Sequence, residues 1–221
     1  MSAMHLYAFW RTSAGYRVRV ALNLKGLSVP ETQVDLEAGA QLSPAFLAVN
    51  PEGTVPALVV DPARPALTQS MAILEYLDET HPEPPLLPFD AYGRARVRSL
   101  AALLTADTHP LIVPRVRKYL TGAGFDADGW RAWQINWFTR GLQTFERRVA
   151  ADPATGAFCH GDLPGIADIC LCSITAVAEV FRIEVADIPT VTRIVAACQE
   201  MPAFARARPQ DQAGGPGSRG V

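Results

Sequence analysis

Four cysteines and four histidines in 221 residues leave little from which to build a metal site. Cys159, Cys170, Cys172 and Cys198 include no Cys-x-x-Cys pair and no histidine partners at ligand spacing, so neither a metal site nor a disulfide framework is expected. Cys170 and Cys172 stand two apart in a helical pattern, which suits small buried apolar groups pointing in different directions. Cationic excess is lacking as well: 20 Lys+Arg against 22 Asp+Glu give a formal charge of -2, without the basic face of a nucleic-acid binder. No apolar run approaches the roughly 20 residues of a membrane span, and the first residues show no signal-peptide pattern. These absences lead to the expectation of a cytoplasmic protein that acts on small molecules.

What is present is 49% hydrophobic residues and 19% charged, enough for the cores of two modest domains. From residue 4 to about 80 the texture is mixed. Strand-like runs at 6–10, 32–36, 57–60 and 66–68 alternate with helical patterns at 16–26, after Ser43-Pro44, and at 71–80. There Ser70 is the expected N-cap, and Ile73, Leu74 and Leu77 form an apolar stripe. The order β-α-β-α-β-β-α predicts a small α/β domain over 1–82 with helices packed on a mixed sheet.

The proline-dense segment His81-Pro82-Glu83-Pro84-Pro85-Leu86-Leu87-Pro88 reads as the boundary. Beyond it the strand signal vanishes. A long helix capped by Asp90 and interrupted near His109-Pro110 and Pro114, then helices at about 128–150, 166–181 and 190–200, predict an all-α domain over 83–208. Residues 209–221, rich in Gly, Pro and Gln, are expected to form a flexible tail.

The first thirty residues carry the most chemistry. Leu6-Tyr7-Ala8-Phe9-Trp10 stops at Arg11-Thr12-Ser13-Ala14-Gly15, and Val18, Ala21, Leu22 and Leu24 then recur at helical spacing up to Gly26. That is strand, hydroxyl-bearing turn, helix, with Thr12 or Ser13 in the N-cap place. First-turn amides, one or two hydroxyls and the positive end of the helix dipole suit an anion such as a thiolate. Arg11 can hold a carboxylate bidentately, an exposed ion pair being its plainer use. Arg17 and Arg19 do not share a helix face, so one is expected to pair with a carboxylate and the other to be solvated.

Val55-Pro56 opens the third strand, where a proline is ordinarily structural and trans. Gln69-Ser70 ends the fourth and starts a helix, a place for a plain N-cap or for a ligand carboxylate. The Thr12/Ser13 turn, Val55 and Ser70 all fall at strand ends of one small sheet, where α/β folds place ligands. His109-Pro110 and Arg115 fall at the helix interruption, and a broken helix often borders a cleft. Asp168 reads as folding chemistry, reaching back to free amides at the start of its helix. Trp130, Trp133 and Trp137, spaced i, i+3, i+7, read as packing.

In this order, the pieces resemble a glutathione transferase across roughly residues 4 to 208: a thioredoxin-like domain with a Val-cis-Pro and a Gln-Ser element, then an all-helical domain. Arg11-Thr12-Ser13-Ala14-Gly15-Tyr16-Arg17-Val18-Arg19-Val20-Ala21-Leu22 is similar to the zeta-class signature, a serine/cysteine-rich turn before x-Arg-x-Arg-Ile-Ala-Leu. Asn50-Pro51, Val55-Pro56-Ala57-Leu58, Gln69-Ser70 and Gly161-Asp162-x-Pro164 extend the match.

The resemblance implies a glutathione-dependent cis–trans isomerase. Its expected substrate is maleylacetoacetate, in aromatic amino-acid catabolism, with maleylpyruvate the close alternative. A transferase acting on small α-halo acids, and a non-catalytic binding module of the same fold, are the other readings. Glutathione is the implied cofactor and a small dicarboxylate the implied substrate. Thr12 and Ser13 match the family's catalytic positions, and Gln41, Val55, Pro56, Gln69, Ser70 and His109 its cofactor contacts. Arg11 and Arg115 resemble substrate-binding positions, and a homodimer is implied. The chain departs from the pattern in having Thr12 for the first serine, Ala14 where cysteine is frequent, and Val180 where an arginine precedes Phe181. Gly165 replaces a capping Ser or Thr, with an expected loss of only a few tenths of a kcal/mol.

Overall fold

The computed structural model describes residues 4–217; residues 1–3 and 218–221, the last four of the expected tail, lie outside the described residues. The described chain packs as two compact units, 4–85 with 201–217, and 86–200. Residues 201–208, expected in the helical domain, therefore belong with the first unit.

In unit 1, β1 (His5–Ala8), α1 (Ser13–Leu24), β2 (Glu31–Gln33), a 3-10 turn (Ala40–Leu42), α2 (Pro44–Leu47), β3 (Ala57–Val59), β4 (Leu67–Thr68) and α3 (Ser70–Thr80) follow the expected order. The sheet order is β2-β1-β3-β4, with β1 parallel to β2 and antiparallel to β3, and β4 antiparallel to β3. Alternation turns Leu6 and Ala8 of β1 inward, and α1 and α3 pack together with Val18, Ala21, Ile73, Leu74 and Leu77 wholly buried. Each of the valine, leucine and isoleucine side chains among them contributes about 1.5–3 kcal/mol.

Neither helical arginine of α1 is solvated, contrary to expectation. Arg19 holds Glu31 through two bonds (2.9 and 2.6 Å) and donates to the Trp10 carbonyl, while buried Arg17 donates to Ser70 Oγ at 2.9 Å. The short helix α9 (Pro202–Ala205) packs on α1, where Asn23 Nδ2 donates to the Ala203 carbonyl at 2.9 Å and Phe204 is buried. The expected flexible tail is structured over its described part: a 3-10 turn at Pro209–Asp211 buries Pro209, and Gln212 Nε2 donates to the Arg206 and Arg208 carbonyls. Gly214 approaches the Trp10 ring.

In unit 2, α4 (Ala91–Thr105) starts at Asp90, whose carboxylate accepts from Gly93 N at 2.7 Å. The predicted interruption is a 3-10 turn at His109–Leu111, followed by α5 (Pro114–Gly122), α6 (Ala127–Ala151), α7 (Ile166–Val180) and α8 (Pro189–Gln199). α7 packs on α4 and α8 and is buried continuously from Ile166 to Ile174. Phe138, Leu142, Phe145 and Val149 place the buried face of α6 at helical spacing. Arg96 ties the segment after α6 together, bonding Asp152 Oδ2 (2.6 Å), the Cys159 carbonyl (2.6 Å) and Thr155 Oγ1 (2.9 Å). Its hydrogen bond holds the Asp152 carboxyl below the usual range.

Candidate active site

The sheet register of unit 1 collects the predicted strand-end residues at one edge. Tyr7 pairs with Ala57, and Ala57 with Thr68, so the turn after β1, the Val55-Pro56 entry to β3 and the Gln69-Ser70 exit from β4 lie side by side. The Val55-Pro56 bond is cis, as the resemblance implies. The Val55 main-chain N–H and C=O have no hydrogen-bond partner among the described residues, so they are available to an extended peptide.

The two hydroxyls of the α1 turn behave differently. Thr12 is the N-cap: its hydroxyl accepts from Gly15 N at 3.2 Å and donates to the Phe9 carbonyl at 3.0 Å. Ser13, the first helical residue, is buried, and its Oγ has no partner among the described residues. A buried hydroxyl without a partner costs about 1–3 kcal/mol, a deficit that a bound acceptor removes. Gln41, in the 3-10 turn, has its Oε1 in the same condition. Gly53 lies against that turn at φ +62, where a side chain would meet Leu42 and the Gln41 carbonyl.

At the third corner Ser70 is the first residue of α3 rather than its cap. Gln69 precedes it at φ 63, a conformation that costs a non-glycine residue about 1 kcal/mol or more. Its side chain makes no cap; Nε2 instead donates to Glu52 at 2.9 Å. Because Ser70 Oγ accepts from Arg17, its own proton is directed elsewhere. Sequence reasoning placed neither Glu52 nor Arg17 here, since a turn carboxylate and a helical arginine carry no sequence signal that separates them from surface charge.

The remaining predicted residues differ in setting. Arg11 pairs with Glu37 at 2.5 Å and lies over the rings of Phe9 and Trp10, its guanidinium carbon 5.7 Å from each centroid. His109 is half-buried in the 3-10 turn of unit 2. Arg115 is exposed on α5, where with Lys118, Tyr119, Gly122 and Ala123 it lines an open groove of about 580 Å³. Val180, in place of the arginine, is followed by a left-handed Arg182, and Arg131 holds the Phe181 and Arg182 carbonyls.

All four cysteines are buried in unit 2. Burial pushes the Cys159 thiol well up, with the Asp168 charge adding to it; the hydrogen bond with Cys198, then burial, does the same to Cys172. Such thiols are not nucleophiles at neutral pH.

The thioredoxin-like unit with its Val-cis-Pro, followed by helices, defines the glutathione transferase fold. The sequence profile of the glutathione S-transferase N-terminal domain matches residues 2–79. The chain is 43% identical to a maleylacetoacetate isomerase of Rhizobium meliloti, over 92% of this chain and 95% of that protein. Among solved structures it resembles the maleylacetoacetate isomerase of Methylobacterium extorquens AM1 with malonate and GSH bound, with a TM-score of 0.92 and 46% identity over 96% of this chain and 99% of the other. It resembles equally a holo maleylpyruvate isomerase described as a zeta-class bacterial glutathione S-transferase, with a TM-score of 0.91, 40% identity and coverage of 96% and 99%. The chain belongs to the zeta-class glutathione transferases, the family of these isomerases.

Proposed function

We propose that this chain is a glutathione-dependent cis–trans isomerase acting on maleylacetoacetate, with maleylpyruvate the alternative substrate. The observation that carries the reading is an anion-ready hydroxyl turn in a protein whose own thiols are all buried, so that the reactive sulfur comes from a ligand. When bound, glutathione supplies a thiolate that adds to the conjugated cis double bond, permits rotation and departs.

The residues present fit that cofactor. Ser13 Oγ and Gln41 Oε1 are buried polar atoms without partners among the described residues, and the Val55 main chain is unpaired among them too. Ser70 stands at the positive end of α3 with its own proton not engaged by Arg17. The start of α1 favours a sulfur anion over a thiol, through its dipole and hydroxyls. Ser13 donates there without giving up another bond, whereas Thr12 must leave the Phe9 carbonyl to do so. Arg11 receives a substrate carboxylate in exchange for Glu37. His109 and Arg115 keep the roles the resemblance gives them, toward cofactor and substrate respectively. A cytoplasmic homodimer completes the reading, and light scattering on the purified protein tests its stoichiometry.

The deciding experiment is a spectrophotometric assay with maleylacetoacetate and maleylpyruvate, each with and without glutathione. Glutathione-dependent turnover of one substrate establishes the activity. Failure with both, while glutathione still binds, moves the site to another electrophile. In the same assay Ser13→Ala is expected to lower kcat by about 10²-fold, and normal turnover in that variant would transfer the role to Thr12.

A further inference from the structure

The segment whose composition suggests disorder comes to rest against the turn that carries Arg11. From the Asn23–Ala203 bond on α1 the chain continues through the 3-10 turn at Pro209–Asp211, and Gly214 then lies on the Trp10 ring, where a Cβ would stand 3.5 Å from Cδ1. Two glycines make that approach possible. Gly214 adopts φ +83, and at Gly215 a Cβ would meet the Pro209 and Gln210 carbonyl oxygens at 2.6 and 2.7 Å. Gly215 N donates to the Gln212 carbonyl and Gly217 N to the Gln210 carbonyl, each at 2.8 Å, so the segment is folded on itself.

Trp10 is the residue of the turn that such a neighbour can fix. The Arg11 guanidinium lies over two rings: Phe9 is buried and set by the core, whereas Trp10 is half-buried, 5.9 Å from Phe9 and tilted on it. Arg19 Nη1 holds the Trp10 carbonyl at 3.2 Å, which fixes the backbone and leaves the setting of the ring to its contacts with Phe9, Arg11 and Gly214. The remaining fastening of Arg11, its bond to Glu37, is an exposed ion pair, which orders a long side chain only weakly. A ring attracts the guanidinium without consuming a donor, so its N–H groups stay open to a carboxylate once Glu37 is displaced.

We propose that residues 209–217 are a positioning segment of the substrate site: they back the Trp10 ring, the ring seats Arg11, and Arg11 meets a substrate carboxylate from a set place. The inference rests on the reading of Arg11 given above and concerns the substrate, not glutathione.

Steady-state kinetics with maleylacetoacetate and maleylpyruvate at saturating glutathione test it on the wild type, a chain that stops after Gln212, Arg11→Met, and the two changes together. The shortened chain loses the Gly214 contact and keeps buried Pro209 and the Gln212 side-chain bonds. It is expected to raise KM about threefold, the scale of one exposed cation–π contact, with kcat and the calorimetric dissociation constant of glutathione within about twofold. Arg11→Met should raise KM about tenfold, and shortening that variant should add nothing. An equal rise on shortening in both backgrounds would send the effect of the tail elsewhere and overturn the proposal. So would a KM that ignores the shortening, or a loss shared by KM, kcat and glutathione binding, the mark of a brace for the whole unit. A wild type that turns over neither substrate, or Arg11→Met with unchanged KM, removes the reading of Arg11 and the proposal with it. A shortened chain without effect beside an impaired Arg11→Met overturns the proposal alone and leaves that reading standing.

Discussion

Among the helices of the described residues that start without a side-chain cap from the preceding residue, α7 and α3 are completed in opposite ways. At α7 the N-cap is Gly165, and the fully buried Asp168 carboxylate reaches back to accept from Gly165 N (2.9 Å) and Cys159 N (2.8 Å), while Ile166 N donates to the Leu86 carbonyl. At α3 the N-cap is Gln69, whose amide turns away to Glu52, and Ser70 accepts from Arg17 while its own proton is not used in that bond. The first start is closed by its own carboxylate. The second leaves its positive end to something else, and helix N-termini of that kind receive anions. Both are read in sequence as ordinary helix signals; only the partners separate a fold element from a binding element.

The sharpest way to break this contrast is Asp168→Ala. It strips one buried and one part-buried amide of their acceptor and is expected to cost about 3–5 kcal/mol in urea unfolding, with glutathione affinity of the folded protein unchanged. Ser70→Ala should do the reverse. Its glutathione dissociation constant is expected to rise about tenfold, or about 1.4 kcal/mol, with about 1 kcal/mol lost from stability as Arg17 loses an acceptor.

Gly165→Ser is a third test, because local preference alone forecasts a gain. A Cβ at 165 would stand 2.7 Å from the Leu86 carbonyl oxygen, which is already held by Ile166 N, so the variant is expected to lose about 1–2 kcal/mol in the same unfolding assay. The glycine is thus a packing requirement, which corrects the view of it as a weakened cap.

The smallest effects are in pH. Burial raises the Asp168 carboxyl, so the folded state holds that proton to higher pH than the unfolded chain does. Its contribution is full below the unfolded value of about 4 and is lost as pH rises through the folded one. The stability advantage of wild type over Asp168→Asn should therefore narrow with rising pH in that window. Asp152 has the opposite sign: held down by Arg96, it contributes above about pH 4 and is lost on acidification through its lowered value, which Arg96→Met should abolish.

Periodicity located most of the elements, because α3, α4 and α6 each bury one stripe and their 3.6-residue spacing is a local property. The edge that gathers the Thr12 turn, Val55 and Ser70 was equally readable, since strand order and turn chemistry are written in short segments. What escaped was set by distant partners. Arg17 and Arg19 resemble surface charge until Ser70 and Glu31 are placed beside them, 53 and 12 residues away. The reason for Gly165 is a carbonyl at position 86. Pro209, in a segment of disordered composition, is buried by tertiary packing that composition does not encode.

The return of α9 to α1 also sets an order of events in synthesis. Unit 1 is written in two pieces with all of unit 2 between them, and the Asn23–Ala203 bond spans 180 residues. At about 5–20 residues per second, the ribosome finishes the sheet and α1 several seconds before it makes the segment that covers them. Until then the α1 face that receives Phe204 and Ala203 is bare, and the nascent chain carries an apolar surface in need of shelter. The part of the protein that is translated first is thus among the last to be complete.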